Sequence, residues 1–178
     1  SWIHVEQHTL RNAAHTFRNI HEMTNAYHKF DKTICVSEYV KNDFRNLVPV
    51  KNIEVLYNTV ESKKIQQLAE ENVQNILFDE NKIKICSIGT LKKSKGFDRL
   101  LRVHKKLYDE GYPVHTYILG EGNERKKLEE YVVSHHLETT VSFLGYQINP
   151  YKYLSKCDLF VCTSFAEGFS TAATEALI

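Results

Sequence analysis

The sequence predicts an α/β protein with a doubly wound, Rossmann-like parallel sheet. Short apolar runs typical of buried strands alternate with stretches whose apolar residues recur every three or four positions, as on the buried face of a helix. Several of the runs are followed directly by glycine-bearing loops, which are typical of the carboxyl edge of an open α/β sheet. We therefore expect parallel strands covered by helices on both faces.

Composition argues for neither nucleic acid nor a membrane as the main partner. The chain has 178 residues, with 23 Lys and Arg against 22 Asp and Glu, so no overall field attracts nucleic acid or a membrane. No apolar stretch is long enough to cross a bilayer. The cysteines, Cys35, Cys86, Cys157 and Cys162, lie in or beside apolar runs, and we expect buried thiols in a cytosolic protein without disulfides.

The first part of the chain predicts the end of one domain. Apolar runs predict strands at 2–5, 32–36 and 53–57, and helical spacing predicts one or two helices within 9–30. A short helix from Glu38 to Phe44 should be capped by Ser37. We assign 1–58 to the first domain and the polar, charged stretch 59–81 to an interdomain linker.

The rest, 82–178, predicts a second domain in which strand and helix alternate regularly. Strands are expected at 82–88, 114–119, 141–144 and 158–163, the last one buried, with helices at 97–108, from 123 to about 135, at 150–155 and after Gly168. The chain opens without Met and stops inside the last of these helices. We therefore expect it to be a piece of a longer protein.

Three loops follow strands of the second domain and should meet at one edge of its sheet: Gly89–Gly96, Gly120–Gly122 and Ala166–Gly168. The first carries Lys92, Lys93 and Lys95, which are suited to phosphate. The last loop contains Glu167 and precedes a helix that carries Glu175. Because ionised carboxylates only accept hydrogen bonds, they suit sugar hydroxyls. Together the loops favour a nucleoside-diphosphate sugar as ligand.

Five motifs then occur in order: G-x-L-x4-G at 89–96, I-L-G-E-G-N-E-R at 118–125, V-S-F-L-G at 141–145, D-L-F-V-C-T-S at 158–164 and E-G-F-x5-E-A at 167–176. This order resembles the family 4 retaining glycosyltransferases, which have the GT-B fold of two Rossmann-like domains. The first part resembles the family more loosely, through W-I-H at 2–4, D-K-T-I-C-V-S at 31–37 and V-L-Y-N at 55–58. The resemblance implies a GT-B piece that is incomplete at both ends.

The resemblance also implies roles for individual residues. Lys95 would neutralise the donor diphosphate, Glu175 would accept hydrogen bonds from the ribose, and Glu167 would hold the donor sugar. His4 matches the family histidine that faces that sugar. These roles make Lys95, Glu167 and His4 the expected catalytic residues. The donor-binding residues would be Gly89, Thr90, Lys95, Gly120, Gly122, Tyr146, Glu167, Gly168, Phe169 and Glu175.

The implied activity is transfer of a sugar, a hexose by expectation, from a UDP- or GDP-linked donor to a glycan or lipid-linked acceptor with retained configuration. No metal and no cofactor beyond the nucleotide sugar is implied, and no Asp-x-Asp is present. A cytoplasmic location with peripheral association at the inner face of the membrane fits the resemblance. Alternatives are another GT-B enzyme, such as a nucleotide-sugar epimerase, and a non-catalytic GT-B-like partner subunit.

One departure from the pattern bears on the diphosphate. The family usually has Arg directly after the glycine matched by Gly89, and Thr90 stands there instead. Either Lys92 or Lys93 supplies a second cation, or diphosphate binding is weaker than in the family. Thr90 is also the feature that favours the non-catalytic alternative.

Several of these residues could instead have an ordinary structural role. Gly120 and Gly122 could serve only the turn, His4 could be a strand-end residue satisfied by the backbone, and Tyr146 could pack instead of stacking on the base. The two glutamates could be solvated carboxylates. We expect the 178-residue chain to be inactive alone, because both predicted domains lack strands; detectable sugar transfer by it would contradict this.

Overall fold

A computed structural model describes residues 1–4, 17–74 and 76–178. The chain forms two compact units. The first consists of Ser1–Thr59 with Ala166–Thr171, and the second of Val60–Phe165 with Ala172–Ile178. Part of the helical stretch predicted within 9–30 lies outside the described residues. Within the described ranges, no helix combines the length and apolar composition that crossing a bilayer requires.

The first unit contains a parallel sheet of three short strands. Its elements are β1 (Trp2–Ile3), α1 (Ile20–Tyr27), β2 (Thr33–Cys35), α2 (Glu38–Leu47) and β3 (Ile53–Val55), with strand order β1-β2-β3. The predicted Ser37 cap is confirmed, since its Oγ accepts a hydrogen bond from the backbone N–H of Val40 at 3.2 Å. Val40 and Phe44 on α2 are buried against β2.

The second unit contains a four-stranded parallel sheet. Its elements are α3 (Ser62–Ala69), β4 (Ile83–Ile88), a 3₁₀ turn (Lys93–Lys95), α4 (Phe97–Asp109), β5 (Val114–Leu119), α5 (Arg125–Ser134), β6 (Val141–Gly145), α6 (Tyr151–Leu154) and β7 (Leu159–Phe160); α7 (Thr171–Glu175) completes the described helices. The strand order is β6-β5-β4-β7. The chain moves outward from β4 to β6 and then returns to the other side of β4, which is the doubly wound topology predicted.

Helix α4 follows the predicted pattern closely. Phe97, Leu100 and Leu101 are buried against the sheet, whereas Val103 is exposed. The helix begins after Gly96, whose φ of 65° lies in the left-handed region that favours glycine. Helix and sheet therefore share one apolar core, because the apolar residues of this stretch recur with the helical period.

Two sequence expectations differ from the structure. The expected buried strand 158–163 is only β7, an edge strand in which Leu159 is 53% exposed, because β7 pairs with β4 alone among the described strands. Cys162 is exposed and so is not the buried thiol expected, while Cys35 and Cys86 are buried. The range 59–81 contains α3, and from Val60 onward it is grouped with the second unit.

A buried histidine links α4 to β5 and to the residue that precedes β6 in the second unit. His104 is 1% exposed, and its ring nitrogens lie 2.8 Å from Thr116 Oγ1 and 3.0 Å from Thr140 Oγ1. Because Thr140 Oγ1 donates to the Leu137 carbonyl oxygen, it accepts from His104 Nε2–H. Nδ1 of the neutral ring then accepts from Thr116. Burial, with a smaller contribution from the charge of His115, lowers the pKa of His104 to about 4.

We predict that the second unit loses stability as the pH falls from 6.5 toward 4. Burial also lowers the pKa of His115 to about 4, whereas an unfolded histidine has the ordinary value of 6.5. The unfolded state therefore binds more protons between these values. The stability that the two neutral rings contribute is complete above pH 6.5 and is lost as the pH falls toward 4.

Urea unfolding at several pH values measures this loss. His104→Gln should lower stability at pH 8 and flatten the slope between pH 6.5 and 4 by about half, because His115 still titrates. His21→Gln, at an exposed position of α1, is the matched control and should keep the wild-type slope. An unchanged slope in His104→Gln would contradict the assignment.

Candidate functional site

A cavity opens at the carboxyl ends of β4, β5 and β6 in the second unit. Its volume is about 430 Å³. The lining residues are Ile88, Gly89, Thr90, Leu119, Gly120, Glu121, Tyr146, Gln147, Ile148, Pro150 and Tyr151. In an open α/β sheet, this edge is where ligands bind. A cavity of about 550 Å³ in the first unit, beside Tyr27 and Asn52, contains none of the predicted site residues.

The floor of the cavity consists of two loops joined through their backbones. The Gly89 N–H donates to the Leu119 carbonyl at 2.9 Å, and the Leu91 N–H donates to the Glu121 carbonyl at 2.9 Å. The Leu91 carbonyl accepts in turn from the Glu124 N–H at 2.9 Å. These bonds continue the pairing of β4 with β5 beyond the strand ends.

This junction explains two of the predicted glycines. A Cβ at Gly120 would overlap the Gly89 carbonyl oxygen, and one at Gly122 would overlap the Leu91 carbonyl oxygen. Gly120 also has φ 137°, a conformation that other residues rarely adopt. Both glycines are therefore required by the contact between the loops. Gly89 and Gly120 also line the cavity, whereas Gly122 does not.

The lysine loop is fastened to the segment that follows β7. The Thr163 hydroxyl donates to the Lys95 carbonyl at 3.2 Å, and the Phe165 N–H donates to the Ser94 carbonyl at 2.9 Å. A Cβ at Gly96 would overlap the Thr163 carbonyl oxygen. Lys95 is half-buried in this loop and is not a lining residue of the cavity, while Lys92 and Lys93 are exposed.

The rim of the cavity is formed by the segment that follows β6. Tyr146 is 75% exposed and Ile148 is 92% exposed, so both present apolar surface to solvent beside the opening. The Gln147 side chain donates to the Leu144 carbonyl at 2.6 Å, which holds the segment back on β6. Tyr146 is therefore not packed in the core, and its stacking on a base stays a prediction.

Glu121 lies between the two loops and is held by Arg125. The Arg125 guanidinium contacts the Glu121 carboxylate and donates to Glu129 at 2.8 Å, and it also lies 5.9 Å from the centre of the Phe143 ring. Hydrogen bonding to Glu129 is the main cause that raises the pKa of Arg125. The cavity therefore has a carboxylate in its wall whose charge is compensated within the wall.

Glu175 ends helix α7, and its charge acts on Tyr151, a lining residue of the cavity. Burial, followed by the negative charge of Glu175, raises the pKa of Tyr151. Glu175 therefore lies near this part of the cavity wall, although it is not itself a lining residue.

The other predicted residues lie in the first unit. Phe169 packs against its core and lies 6.1 Å, centre to centre, from the Tyr57 ring. A Cβ at Gly168 would overlap the His4 carbonyl oxygen, so glycine is required there for close approach of two backbones. The His4 ring is exposed and stacks on Trp2 at 5.9 Å. Glu167, half-buried, is the residue before this contact.

The structure thus brings together part of the predicted set. Four of its members line one cavity, namely Gly89, Thr90, Gly120 and Tyr146. Glu175 lies near Tyr151, a lining residue that the sequence analysis missed, as it missed Gln147 and Pro150. The start of a short helix with an aromatic residue after proline was the only signal at Tyr151. Among the residues described, no group of three His, Cys, Asp or Glu side chains is arranged to hold a metal.

Residues 68–178 match the model of one protein family, which is described as glycosyl transferases group 1. A galactosaminyltransferase of Campylobacter jejuni, N-acetylgalactosamine-N,N'-diacetylbacillosaminyl-diphospho-undecaprenol 4-alpha-N-acetylgalactosaminyltransferase, is 36% identical over 127 residues, 71% of this chain and 33% of that protein. Poly(ribitol-phosphate) alpha-N-acetylglucosaminyltransferase of Staphylococcus aureus is 26% identical over 167 residues, 86% of this chain and 33% of that protein. The chain thus spans about a third of these relatives.

Solved structures share the fold. A crystal structure of S. aureus TarM superimposes with a TM-score of 0.76 at 24% identity, covering 99% of this chain and 34% of that one. Anabaena HepE, crystallised with UDP and glucose, superimposes with a TM-score of 0.72 at 23% identity, covering 96% of this chain and 48% of that one. Together with the parallel sheets, this likeness confirms the predicted Rossmann-like α/β fold of GT-B type.

We predict that Gly120→Ala destabilises the second unit by about 3 kcal/mol or more, because backbone strain and overlap with Gly89 add. Gly111→Ala is the matched control. Gly111 also has a positive φ, 81°, but no atom lies within 4 Å of the added Cβ, so only strain of about 1 kcal/mol is expected. Urea denaturation of both variants measures the difference, and equal losses would contradict the role of the loop contact.

Proposed function

This chain belongs to the glycosyl transferases group 1 family, and we propose that the protein containing it transfers a sugar from a nucleoside-diphosphate sugar to a glycan or lipid-linked acceptor. The observation that carries this proposal is the cavity at the carboxyl ends of β4, β5 and β6, which is lined by Gly89, Thr90, Gly120 and Tyr146. Its position at the ligand-binding edge of a doubly wound sheet fits a nucleotide.

We assign the parts of the donor to parts of this cavity. The base, uracil or guanine, stacks on Tyr146 at the rim, since an exposed aromatic face beside an apolar opening suits a planar ring. The ribose lies toward Tyr151 and Glu175, where a carboxylate can accept from its hydroxyls. The diphosphate lies over Gly89 and Thr90, where the absence of a Cβ at Gly89 permits close approach.

The proposed chemistry is transfer with retention of configuration, as in the family 4 enzymes that the motifs resemble. Negative charge develops on the departing diphosphate, so the main catalytic task is electrostatic. Lys95 supplies the cation for it. The relatives' names support a polymeric or lipid-linked acceptor, because one of them acts on a diphospho-undecaprenol substrate and another on poly(ribitol-phosphate). Peripheral association at the inner face of the membrane fits such an acceptor.

His4 and Glu167 keep the roles that the resemblance implies, as predictions about the donor sugar. Both belong to the first unit, in which the Gly168 backbone lies against the His4 carbonyl. This contact fixes the backbone of Gly168, the residue next to Glu167. A larger residue at position 168 should therefore displace the Glu167 carboxylate. No metal enters the proposed reaction, and no cofactor besides the nucleotide sugar does.

Thr90 favours one second candidate, a non-catalytic GT-B-like subunit that binds a partner transferase. Thr90 lines the cavity where the resembled family has arginine, so the wall offers a hydroxyl instead of a guanidinium to the diphosphate. Product analysis with a labelled UDP-sugar and GDP-sugar separates the candidates. Transfer indicates the enzyme, donor epimerisation indicates another GT-B activity, and no turnover by the full-length protein indicates the subunit.

We predict that Glu175→Ala and Lys95→Ala each weaken binding of UDP or GDP to the full-length protein by about tenfold or more, because each removes a charged partner. Calorimetric titration measures the affinities. Glu130→Ala and Lys126→Ala are the controls, since both residues are exposed on α5 and neither lines the cavity. Undiminished affinity in both test variants would reject the site assignment.

We also predict that Thr90→Arg strengthens UDP or GDP binding, by about threefold to tenfold, because a guanidinium in the wall can bind the diphosphate bidentately. Nucleoside without phosphate should bind as before. If Lys92 or Lys93 already supplies the second cation, replacing that lysine with alanine should lower the affinity for UDP or GDP. Adding Thr90→Arg to that variant should then restore the affinity. A gain for nucleoside equal to the gain for diphosphate would show that the arginine acts elsewhere.

A further inference from the structure

The segment 162–165 continues the chain after the sheet has ended on that side. Strand β7 pairs with β4 through Leu159 and Phe160, and the Val161 N–H then donates to the Cys86 carbonyl at 2.8 Å. Residues 162–165 belong to no strand. A two-residue edge strand gives little support to the residues that follow it, so other contacts must fix the position of this segment.

The lysine loop supplies the first of these contacts. The Phe165 N–H donates to the Ser94 carbonyl at 2.9 Å, and the Thr163 hydroxyl donates to the Lys95 carbonyl at 3.2 Å. The Thr163 carbonyl lies so close to Gly96 that a Cβ at position 96 would overlap its oxygen. The backbone around Lys95 and the segment 162–165 therefore fix each other.

Arg99, in the first turn of α4, binds the same segment through its side chain. Its guanidinium lies 4.9 Å from the centre of the Phe165 ring, and its Nη1 donates to the Thr163 carbonyl at 3.4 Å. The Phe165 ring is 59% exposed, so a cation over its face is the kind of contact that can hold it in place. The Arg99 Cδ would lie 3.4 Å from a Cβ at Gly96, so the side chain passes over this glycine.

We propose that Arg99 is a positioning residue for donor binding, which holds the segment 162–165 against the lysine loop and thereby presents Lys95 to the donor diphosphate. This inference rests on the proposed function, in which Lys95 supplies the cation for the diphosphate. It extends that function to a residue outside the five motifs. Arg99 does not line the cavity, and all of its contacts described above lie within the second unit.

The first test compares a nucleotide with its nucleoside in the full-length protein. Calorimetric titration gives the affinity for UDP or GDP, whichever binds more tightly, and ligand-observed NMR titration gives the affinity for uridine or guanosine. The ratio of the two dissociation constants reports recognition of the diphosphate alone. We expect the wild type to prefer the diphosphate by about tenfold or more, and Arg99→Ala to reduce that preference by about threefold to tenfold.

Arg102→Ala is the matched control. Arg102 lies on the same helix, is exposed and pairs with Asp98 at 2.9 Å, so its replacement removes an equal charge without touching the segment 162–165. This variant should keep the wild-type preference. Arg99→Lys keeps a cation over the Phe165 ring and should lose less than about twofold. Thermal unfolding of each variant checks that the fold is retained.

A double variant tests whether Arg99 acts through Lys95. In a Lys95→Ala background, Arg99→Ala should change the affinity for the diphosphate by less than about twofold, because the side chain that it positions is gone. Additive losses would show that Arg99 acts on the diphosphate independently of Lys95, and they would overturn the inference.

The second test needs no ligand. Amide hydrogen exchange of the fragment that contains Phe165, followed by mass spectrometry, reports how often the bond from its N–H to Ser94 opens. We expect exchange in Arg99→Ala to be faster by about threefold or more, and exchange in Arg102→Ala to equal that of the wild type. Unchanged exchange in Arg99→Ala would overturn the inference whatever the protein binds.

The outcomes separate this inference from the proposed function. If Lys95→Ala loses the preference for the diphosphate and Arg99→Ala keeps it, the inference is overturned while the donor site stands. If Arg99→Ala weakens the nucleotide and the nucleoside equally, Arg99 serves only the fold and the inference is again overturned. If the wild type binds neither UDP nor GDP, the proposed function fails first and this inference fails with it.

Discussion

The second unit depends on a contact between two backbones. Loops that end neighbouring parallel strands ordinarily diverge, because each must turn into its own helix. Here the loops after β4 and β5 stay paired, with three hydrogen bonds between Gly89–Leu91 and Leu119–Glu124, and this is sterically allowed only because residues 120 and 122 have no side chain. The cavity floor is thus an extension of the sheet and shares its rigidity.

This constraint changes how the glycines are interpreted. Glycine-rich loops after strands suggest a ligand, since a bare backbone can approach a phosphate. At Gly122 the bare backbone approaches another loop instead. Gly120 also approaches the other loop, and in addition it lines the cavity. A loop motif in a sequence can therefore report the architecture that surrounds a site as well as the site itself.

Much of the fold could be predicted because periodicity and local capping are encoded within short stretches. Strands β4 and β5, the buried face of α4 and the Ser37 cap follow from residues within one element. Strand β7 was predicted too long and too buried, because apolar composition alone does not tell an edge strand from a central one. Helix α3 was missed because its stretch is mostly polar, and Ile65 is its only buried residue.

The site could be predicted only where its residues fall within motifs. Tyr151 was missed because its place in the cavity wall depends on a long-range contact, through Asn149 to α3. Likewise, the separation of the predicted residues between two units is a property of chain topology, since Ala166–Thr171 is flanked by residues of the second unit yet belongs to the first. Neither a long-range contact nor the division of the chain into units produces a local pattern in the sequence.

The attachment of α6 to α3 has a consequence for how this sequence can vary. Asn149 and Ser155 both bind main-chain carbonyls, at Leu68 and Ala69, and these acceptors are present whatever side chains stand there. The end of α3 should therefore tolerate broad substitution while resisting insertion or deletion, because a shift of one residue would rotate both carbonyls away. We therefore expect the length of this helix to be more tightly constrained than the identity of its residues.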